Sequence, residues 1–234
     1  MASYLLVDDN ALFAENLAEI IQDATGALVD IAAGGAAALQ RAAGTRYDAI
    51  VSDMRMPVMG GAELVHLVRR IDPGLPALVV TAYTNDNDLE AARHEGLLAV
   101  LPKPTPIAQL LELLSVARRD GLVALVEDDR ALSDNISEAL RAHGFATVTA
   151  ASVLETERLG DVQPFAALVD LRVPGGPDGQ AMERLAAKFP GLPLLVMTGH
   201  DLEPPRPHQA LFRKPFNTAD IVAALDRLHA EAHA

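Results

Sequence analysis

Several residue types in this chain could do chemistry together, and all of them carry oxygen or ammonium groups. Asp8 and Asp9 form an acid pair, Asp53 closes the run Ala49-Ile50-Val51-Ser52-Asp53, Thr81 closes Leu78-Val79-Val80-Thr81, and Lys103 stands before Pro104. Three carboxylates within about 4 to 6 Å repel one another by roughly 4 kcal/mol per close pair at an effective dielectric near 20. Such a cluster therefore calls for a divalent cation or a protonated member. With no cysteine in the chain, thiolate chemistry, disulfides and Cys-ligated metals are excluded. All-oxygen ligation points to Mg2+ or Mn2+. A hydroxyl and an ammonium beside that metal make a place where a phosphoryl group could sit on a carboxylate with its oxygens neutralised.

The same landmarks recur. Leu5-Leu6-Val7-Asp8-Asp9-Asn10 returns as Ala124-Leu125-Val126-Glu127-Asp128-Asp129, and matching acid on acid sets Asp8 and Asp9 on Asp128 and Asp129, an offset of 120. Asp53 matches Asp170 at 117, with Met56-Pro57 echoed by Val173-Pro174. Thr81 matches Thr198 at 117, and Lys103-Pro104 matches Lys214-Pro215 at 111. The period is a whole domain rather than a solenoid unit. Two copies of about 115 residues are expected, residues 1–119 and 122–234, joined almost without linker at Asp120-Gly121, which restricts free tumbling.

Short aliphatic runs alternate with helix-length segments, the pattern of a parallel sheet covered on both faces. In the first copy this predicts strands at 4–7, 28–32, 48–52, 77–81 and 97–101, and helices at 11–23, 35–43, 61–71, 86–95 and 106–118. Leu12, Phe13, Leu17, Ile20 and Ile21 are expected to form the core stripe of the first helix. The second copy is expected to follow the same order as far as its fourth strand. There Thr198 to Lys214 spans 16 residues against 22 for Thr81 to Lys103, and it carries Pro204, Pro205 and Pro207, so the fourth helix should be lost or cut to a turn. In a doubly wound sheet ligands bind beyond the carboxyl ends of the strands, where every repeated landmark falls.

Each half resembles the receiver domain of two-component response regulators: an acid pair, one Asp with Pro four residues on, a Thr, and a Lys-Pro, in order, twice. The fold class implied is α/β, two doubly wound, five-stranded parallel-sheet (flavodoxin-like) receiver domains in tandem. The resemblance implies that Asp53 and Asp170 accept a phosphoryl group from a sensor histidine kinase or histidine phosphotransfer protein. It implies that Asp8 and Asp9, or Asp128 and Asp129, hold magnesium with the acceptor Asp and the backbone carbonyl of Arg55 or Arg172. Thr81 and Thr198 would hydrogen-bond the phosphoryl oxygens, Lys103 and Lys214 would pair with it, and the Lys-Pro bonds would be cis. The family's aromatic switch, three residues before the Lys, is replaced by Val100 and Leu211. By the same resemblance Tyr83 and His200, two after the Thr, would border the pocket.

Against this stand plainer readings. An acid pair after a strand is commonly a solvated helix cap, and Asn10 or Asp129 could cap the next helix. Asp161, Asp178 and Asp201 have no such placement and read as surface, and the seven histidines show no metal-ligand spacing. An aspartyl-nucleophile phosphatase of the haloacid-dehalogenase type would carry Asp-x-Asp after the first strand, whereas Asp53 follows the third and has Arg55 at plus two. The chain could also be the input part of a hybrid kinase or cyclic-dinucleotide enzyme. The favoured reading is a regulator without its own output domain or separate catalytic domain, acting on a downstream protein by contact, with the first copy providing the partner or dimer surface.

The formal charge of -13 disfavours nucleic acid and anionic lipid, and it divides as -7 for residues 1–120 and -6 for the rest. No apolar run approaches the roughly 18 residues of a membrane span, and no secretory signal precedes Tyr4-Leu5-Leu6-Val7. A cytoplasmic location is expected.

Overall fold

The computed structural model describes residues 1–82 and 96–234, and the side chains at 158, 160 and 161 lie outside that description, as do the predicted helix 86–95 and Tyr83. The chain divides into two compact units, Met1–Asp120 and Gly121–Ala234. The first runs β1 (Ser3–Val7), α1 (Ala11–Thr25), β2 (Leu28–Ala32), α2 (Gly35–Gly44), β3 (Ala49–Asp53), α3 (Gly61–Ile71), β4 (Ala77–Thr81), β5 (Ala99–Pro102) and α4 (Ile107–Val116). Its five strands are all parallel in the order β2-β1-β3-β4-β5. The order reverses between β1 and β3, so the loops after these two strands diverge to opposite faces and leave a crevice at their carboxyl ends.

The strands read as unbroken aliphatic runs because helices cover both faces. Leu5, Ile50, Leu78 and Val79 are fully buried, and each such side chain contributes about 1.5–3 kcal/mol of burial. On α1 the inward face is Ala14, Leu17, Ala18 and Ile21, spaced three and four apart. The predicted stripe was too wide. Leu12 and Ile20 fall outside that arc at 100° per residue and are exposed.

The second unit runs β6 (Leu122–Val126), α5 (Arg130–Ala142), β7 (Ala146–Ala150), a 3-10 helix (Glu155–Asp161), β8 (Ala166–Asp170), α6 (Gln180–Lys188), β9 (Leu194–Thr198), β10 (Ala210–Arg213) and α7 (Thr218–Ala232). Its sheet is again all parallel, in the order β7-β6-β8-β9-β10. No helix lies between β9 and β10, in accord with the three prolines, which remove N–H donors and clash with the preceding turn.

The 3-10 helix departs from the expected repeat. Where α2 is Gly-Ala-Ala-Ala-Leu-Gln-Arg-Ala-Ala-Gly, rich in the strongest helix former, the corresponding stretch carries Thr156 and Gly160. The Thr156 hydroxyl donates to Val153 O at 2.6 Å, a local bond that competes with the i−4 ladder. Among the described residues no helix is long and apolar enough to cross a membrane.

Candidate functional site

In the first unit β1 ends at Val7, so the next residue, Asp8, is delivered to the crevice while still walled by the sheet, and it is only 2% exposed. Its Oδ1 accepts from Asn10 N at 2.9 Å. Asn10 in turn caps α1, its side chain accepting from Phe13 N at 3.1 Å. β3 delivers Asp53, whose Oδ1 accepts from Met54 N at 2.7 Å. The chain must then turn sharply, and Gly61 permits it: a Cβ there would lie 2.4 Å from Asp53 O. β4 places the buried Thr81 beside β5, and Lys103 N donates to Thr81 O at 2.9 Å.

Lys103, which precedes a cis bond to Pro104, reaches into the crevice. Its Nζ lies 2.8 Å from Asp8 Oδ2 and 3.1 Å from Asp53 Oδ2. Burial works against the ammonium, but the hydrogen bonds to Asp8 and Asp53 outweigh it and hold the Lys103 pKa above its ordinary value. The ring of Phe13 lies 4.5 Å from Nζ, close enough for a cation–π contact. One carboxylate oxygen from each of Asp8, Asp9 and Asp53 lies within 4.8 Å of the others.

The second unit rebuilds this arrangement with one change. β6 ends at Val126, and the residue delivered to the crevice is Glu127, 2% exposed, followed by the exposed Asp128. Glu127, Asp128 and Asp170 are the acids that come together. Asp129, expected as a metal ligand, is instead the N-cap of α5, accepting from Leu132 N at 3.1 Å. The correction is one of register. The strand end sets which side chain enters the crevice, so Asp8, Asp9 and Asn10 correspond to Glu127, Asp128 and Asp129. The unshifted match of Leu-Val-Asp-Asp-Asn on Leu-Val-Glu-Asp-Asp carries that signal, because strand phase rather than acid identity sets the correspondence.

Lys214, after its own cis bond to Pro215, lies 2.7 Å from Glu127 Oε2 and 2.6 Å from Asp170 Oδ2. Burial pushes the Glu127 carboxyl up, with Lys214 opposing it. The Lys214 ammonium is held up by Asp170 and Glu127 against its own burial. Thr198 is buried, and its hydroxyl accepts from His200 N at 3.1 Å.

A network on the exposed rim of the second site had no sequence signal, since it joins side chains from two loops. Arg172 grips Asp178 through Nε at 3.3 Å and Nη2 at 3.1 Å, and its Nη1 meets His200 Nε2 at 3.0 Å. The Arg172 hydrogen bond holds the Asp178 carboxyl below the usual range. Arg172 N donates to Asp170 Oδ1 at 2.9 Å.

Residues 4–115 match the family model of the response regulator receiver domain. A response regulator receiver protein of Anaeromyxobacter sp. (strain Fw109-5) is 63% identical over 231 residues, covering 99% of this chain and 97% of that protein. The chain belongs to the response regulator receiver family. Its resemblance to other relatives is partial: a probable transcriptional regulatory protein of Mycobacterium tuberculosis is 31% identical over 59% of this chain and 62% of its own length. Among solved structures, the receiver domain of a Pseudomonas aeruginosa sensor histidine kinase, with a magnesium ion in its active-site cleft, is 30% identical over 49% of this chain and 94% of its own, at a TM-score of 0.45. Both sheets of the present receiver protein have the α/β, flavodoxin-like order expected of the family. The positions of the missing aromatic switch hold the partly buried Val100 and the exposed Leu211.

Proposed function

We propose that both units are phosphoacceptors, Asp53 in the first and Asp170 in the second, taking the phosphoryl group from the phosphohistidine of a sensor kinase or histidine phosphotransfer protein. The observation that carries this reading is the lysine ammonium set between two acids in each unit, with a buried threonine at the neighbouring strand end. In-line attack by the aspartate carboxylate breaks the P–N bond and forms a P–O bond, and the imidazole keeps the electron pair. Lys103 or Lys214 then faces an aspartyl phosphate, whose phosphoryl oxygens carry more negative charge than the free carboxylate did. Thr81 or Thr198 offers a hydroxyl at the same edge.

The donor set fits a hard divalent cation: in each unit three carboxylate oxygens lie within 4.8 Å, with only one lysine against them. Asp8, Asp9 and Asp53 would hold Mg2+ or Mn2+ in the first unit, with the carbonyl of Arg55. Glu127, Asp128 and Asp170 would do so in the second, with that of Arg172. A bound ion supplies neutralisation of the transferring oxygens.

The phosphorylated protein signals by contact with a downstream protein in the cytoplasm rather than by nucleic-acid or membrane binding, consistent with its net charge of -13. The first unit offers the partner or homodimer surface. Incubating the full chain with acetyl phosphate and magnesium, followed by intact mass, tests the assignment. Two added phosphoryl groups are expected, one in Asp53→Asn or Asp170→Asn, and none in the double variant. Added groups that survive in the double variant would refute it.

A further inference from the structure

A circuit of contacts joins the first acid to the lysine in each unit, and the two circuits differ at one position. In the first unit Asp8 Oδ1 accepts from Asn10 N at 2.9 Å, and the Asn10 side chain accepts from Phe13 N at 3.1 Å. The Phe13 ring lies 4.5 Å from Lys103 Nζ, which returns to Asp8 Oδ2 at 2.8 Å. In the second unit Glu127 Oε1 accepts from Asp129 N at 3.2 Å, and Asp129 Oδ1 accepts from Leu132 N at 3.1 Å. Lys214 Nζ lies 2.7 Å from Glu127 Oε2. Leu132, packed on the core of its own unit, thus holds the position of Phe13. An aliphatic side chain offers an ammonium no negative face, and among the described residues no ring stands over Lys214.

The two lysines also sit differently on their acceptors. In each unit a backbone N–H takes one oxygen of the acceptor: Met54 N takes Asp53 Oδ1, and Arg172 N takes Asp170 Oδ1. Oδ2 is therefore the oxygen left to attack phosphorus, and the lysine stands on it. Lys103 Nζ is 3.1 Å from Asp53 Oδ2, its longer contact, whereas Lys214 Nζ makes its shorter contact, 2.6 Å, with Asp170 Oδ2. Before a carboxylate oxygen can bond phosphorus, the ammonium must release the lone pair that attacks. A ring on α1 draws the ammonium toward Asp8 and off Asp53, and because it is uncharged it competes for neither metal nor phosphoryl group.

We infer that Phe13 is a positioning residue for phosphorylation of Asp53: its π face holds Lys103 toward Asp8 and opens Asp53 Oδ2 to attack, while Leu132 leaves Lys214 closed on Asp170 Oδ2. This rests on the acceptor reading above. With acetyl phosphate as donor, Asp53 Oδ2 attacks phosphorus and a new P–O bond forms. The P–O bond to the acetyl group breaks, and acetate leaves with the electron pair. Lys103 keeps its proton and passes from the carboxylate to the phosphoryl oxygens.

The test is the rate of labelling of the full chain by acetyl phosphate at saturating magnesium, followed by intact mass. Asp53 is read in Asp170→Asn and Asp170 in Asp53→Asn. Phe13→Leu, which copies the second unit, should slow Asp53 about threefold, the size of a half-buried cation–π contact. Phe13→Tyr keeps the face and should keep the parental rate. Leu132→Phe should speed Asp170 by a similar factor, a gain that unfolding cannot produce. The limiting rate should change and the half-saturating acetyl phosphate concentration should not, because the ring touches the lysine and not the donor. The chain has no tryptophan, so Phe13→Trp adds a single reporter whose emission should change as the mass rises and the ammonium leaves the ring.

Equal Asp53 rates in the parent and Phe13→Leu overturn the inference, as does an equal loss in Phe13→Tyr or an effect confined to the half-saturating concentration. An Asp170 rate unmoved by Leu132→Phe overturns it too. Each of these leaves the acceptor reading standing. A parent chain that acetyl phosphate labels at neither aspartate overturns both.

Discussion

Glu127→Gln and Asp129→Asn form a matched pair that decides which acids of the second unit serve the metal. Glu127 has Lys214 at 2.7 Å, an attraction of roughly 6 kcal/mol at an effective dielectric near 20. It faces Asp170 within 4.8 Å, a repulsion of at least about 3.5 kcal/mol on the same scale. Removing its charge also removes the cost of burying it, which is a few kcal/mol. These terms nearly cancel, so metal-free Glu127→Gln should stay folded and melt within about 8 °C of the parent, the shift of 1–2 kcal/mol in a domain of this size.

Metal binding should not survive so well. One unit charge across the cluster is worth about 3.5 kcal/mol to a charged group there, several hundredfold in affinity before ion hydration offsets it, and at least tenfold after. Asp129→Asn should bind as the parent does, because Asn and Asp cap helices about equally and Asn10 performs that task in the first unit. The assay is calorimetric magnesium titration of the full chain in an Asp9→Asn background, which silences the first site. Retained binding in Glu127→Gln together with loss in Asp129→Asn would refute the register deduced from the strand ends.

Lys103→Met leaves the buried Asp8 facing Asp53 without a counter-charge and should destabilise the first unit by about 3–5 kcal/mol, partly restored by magnesium; thermal melts with and without the ion measure both effects. Gly61→Ala drives a Cβ to 2.4 Å from Asp53 O and 2.9 Å from Met54 Cα, where neither backbone atom can yield cheaply, so a loss above about 2 kcal/mol is expected in denaturant titration. Lys103 and Lys214 both have pKa values raised above 10.5, so their stabilisation is fully present below that value and is lost as pH rises through the folded values. Melting temperature should fall as pH is taken from about 10 to 12, and a flat profile across that window would contradict the ion pairing.

Much of this molecule was determined by the order of its residues alone. Aliphatic runs such as Leu122–Val126 can only be strands buried on both faces, and their alternation with helical segments leaves a doubly wound parallel sheet as the economical arrangement. Asp53, Asp170, Thr81 and Thr198 close such runs, so their delivery to the carboxyl edge follows from strand period alone. The loss of the helix between β9 and β10 followed as directly from Pro204, Pro205 and Pro207.

Tertiary structure decided what depends on where a strand stops and on which side chains meet across loops. Whether Glu127 or Asp129 enters the second crevice turns on a single residue of phase at Val126, and the composition Glu-Asp-Asp is indifferent to it. The contact of Phe13 with Lys103 spans 90 residues and arises only once α1 and β5 pack on the same sheet. The strain at Val58, whose φ is 71°, is a property of a backbone angle, which the side chain opposes and the loop between β3 and α3 imposes. Local pattern reports the period and burial of an element, whereas site geometry depends on side chains brought together from loops far apart in the chain.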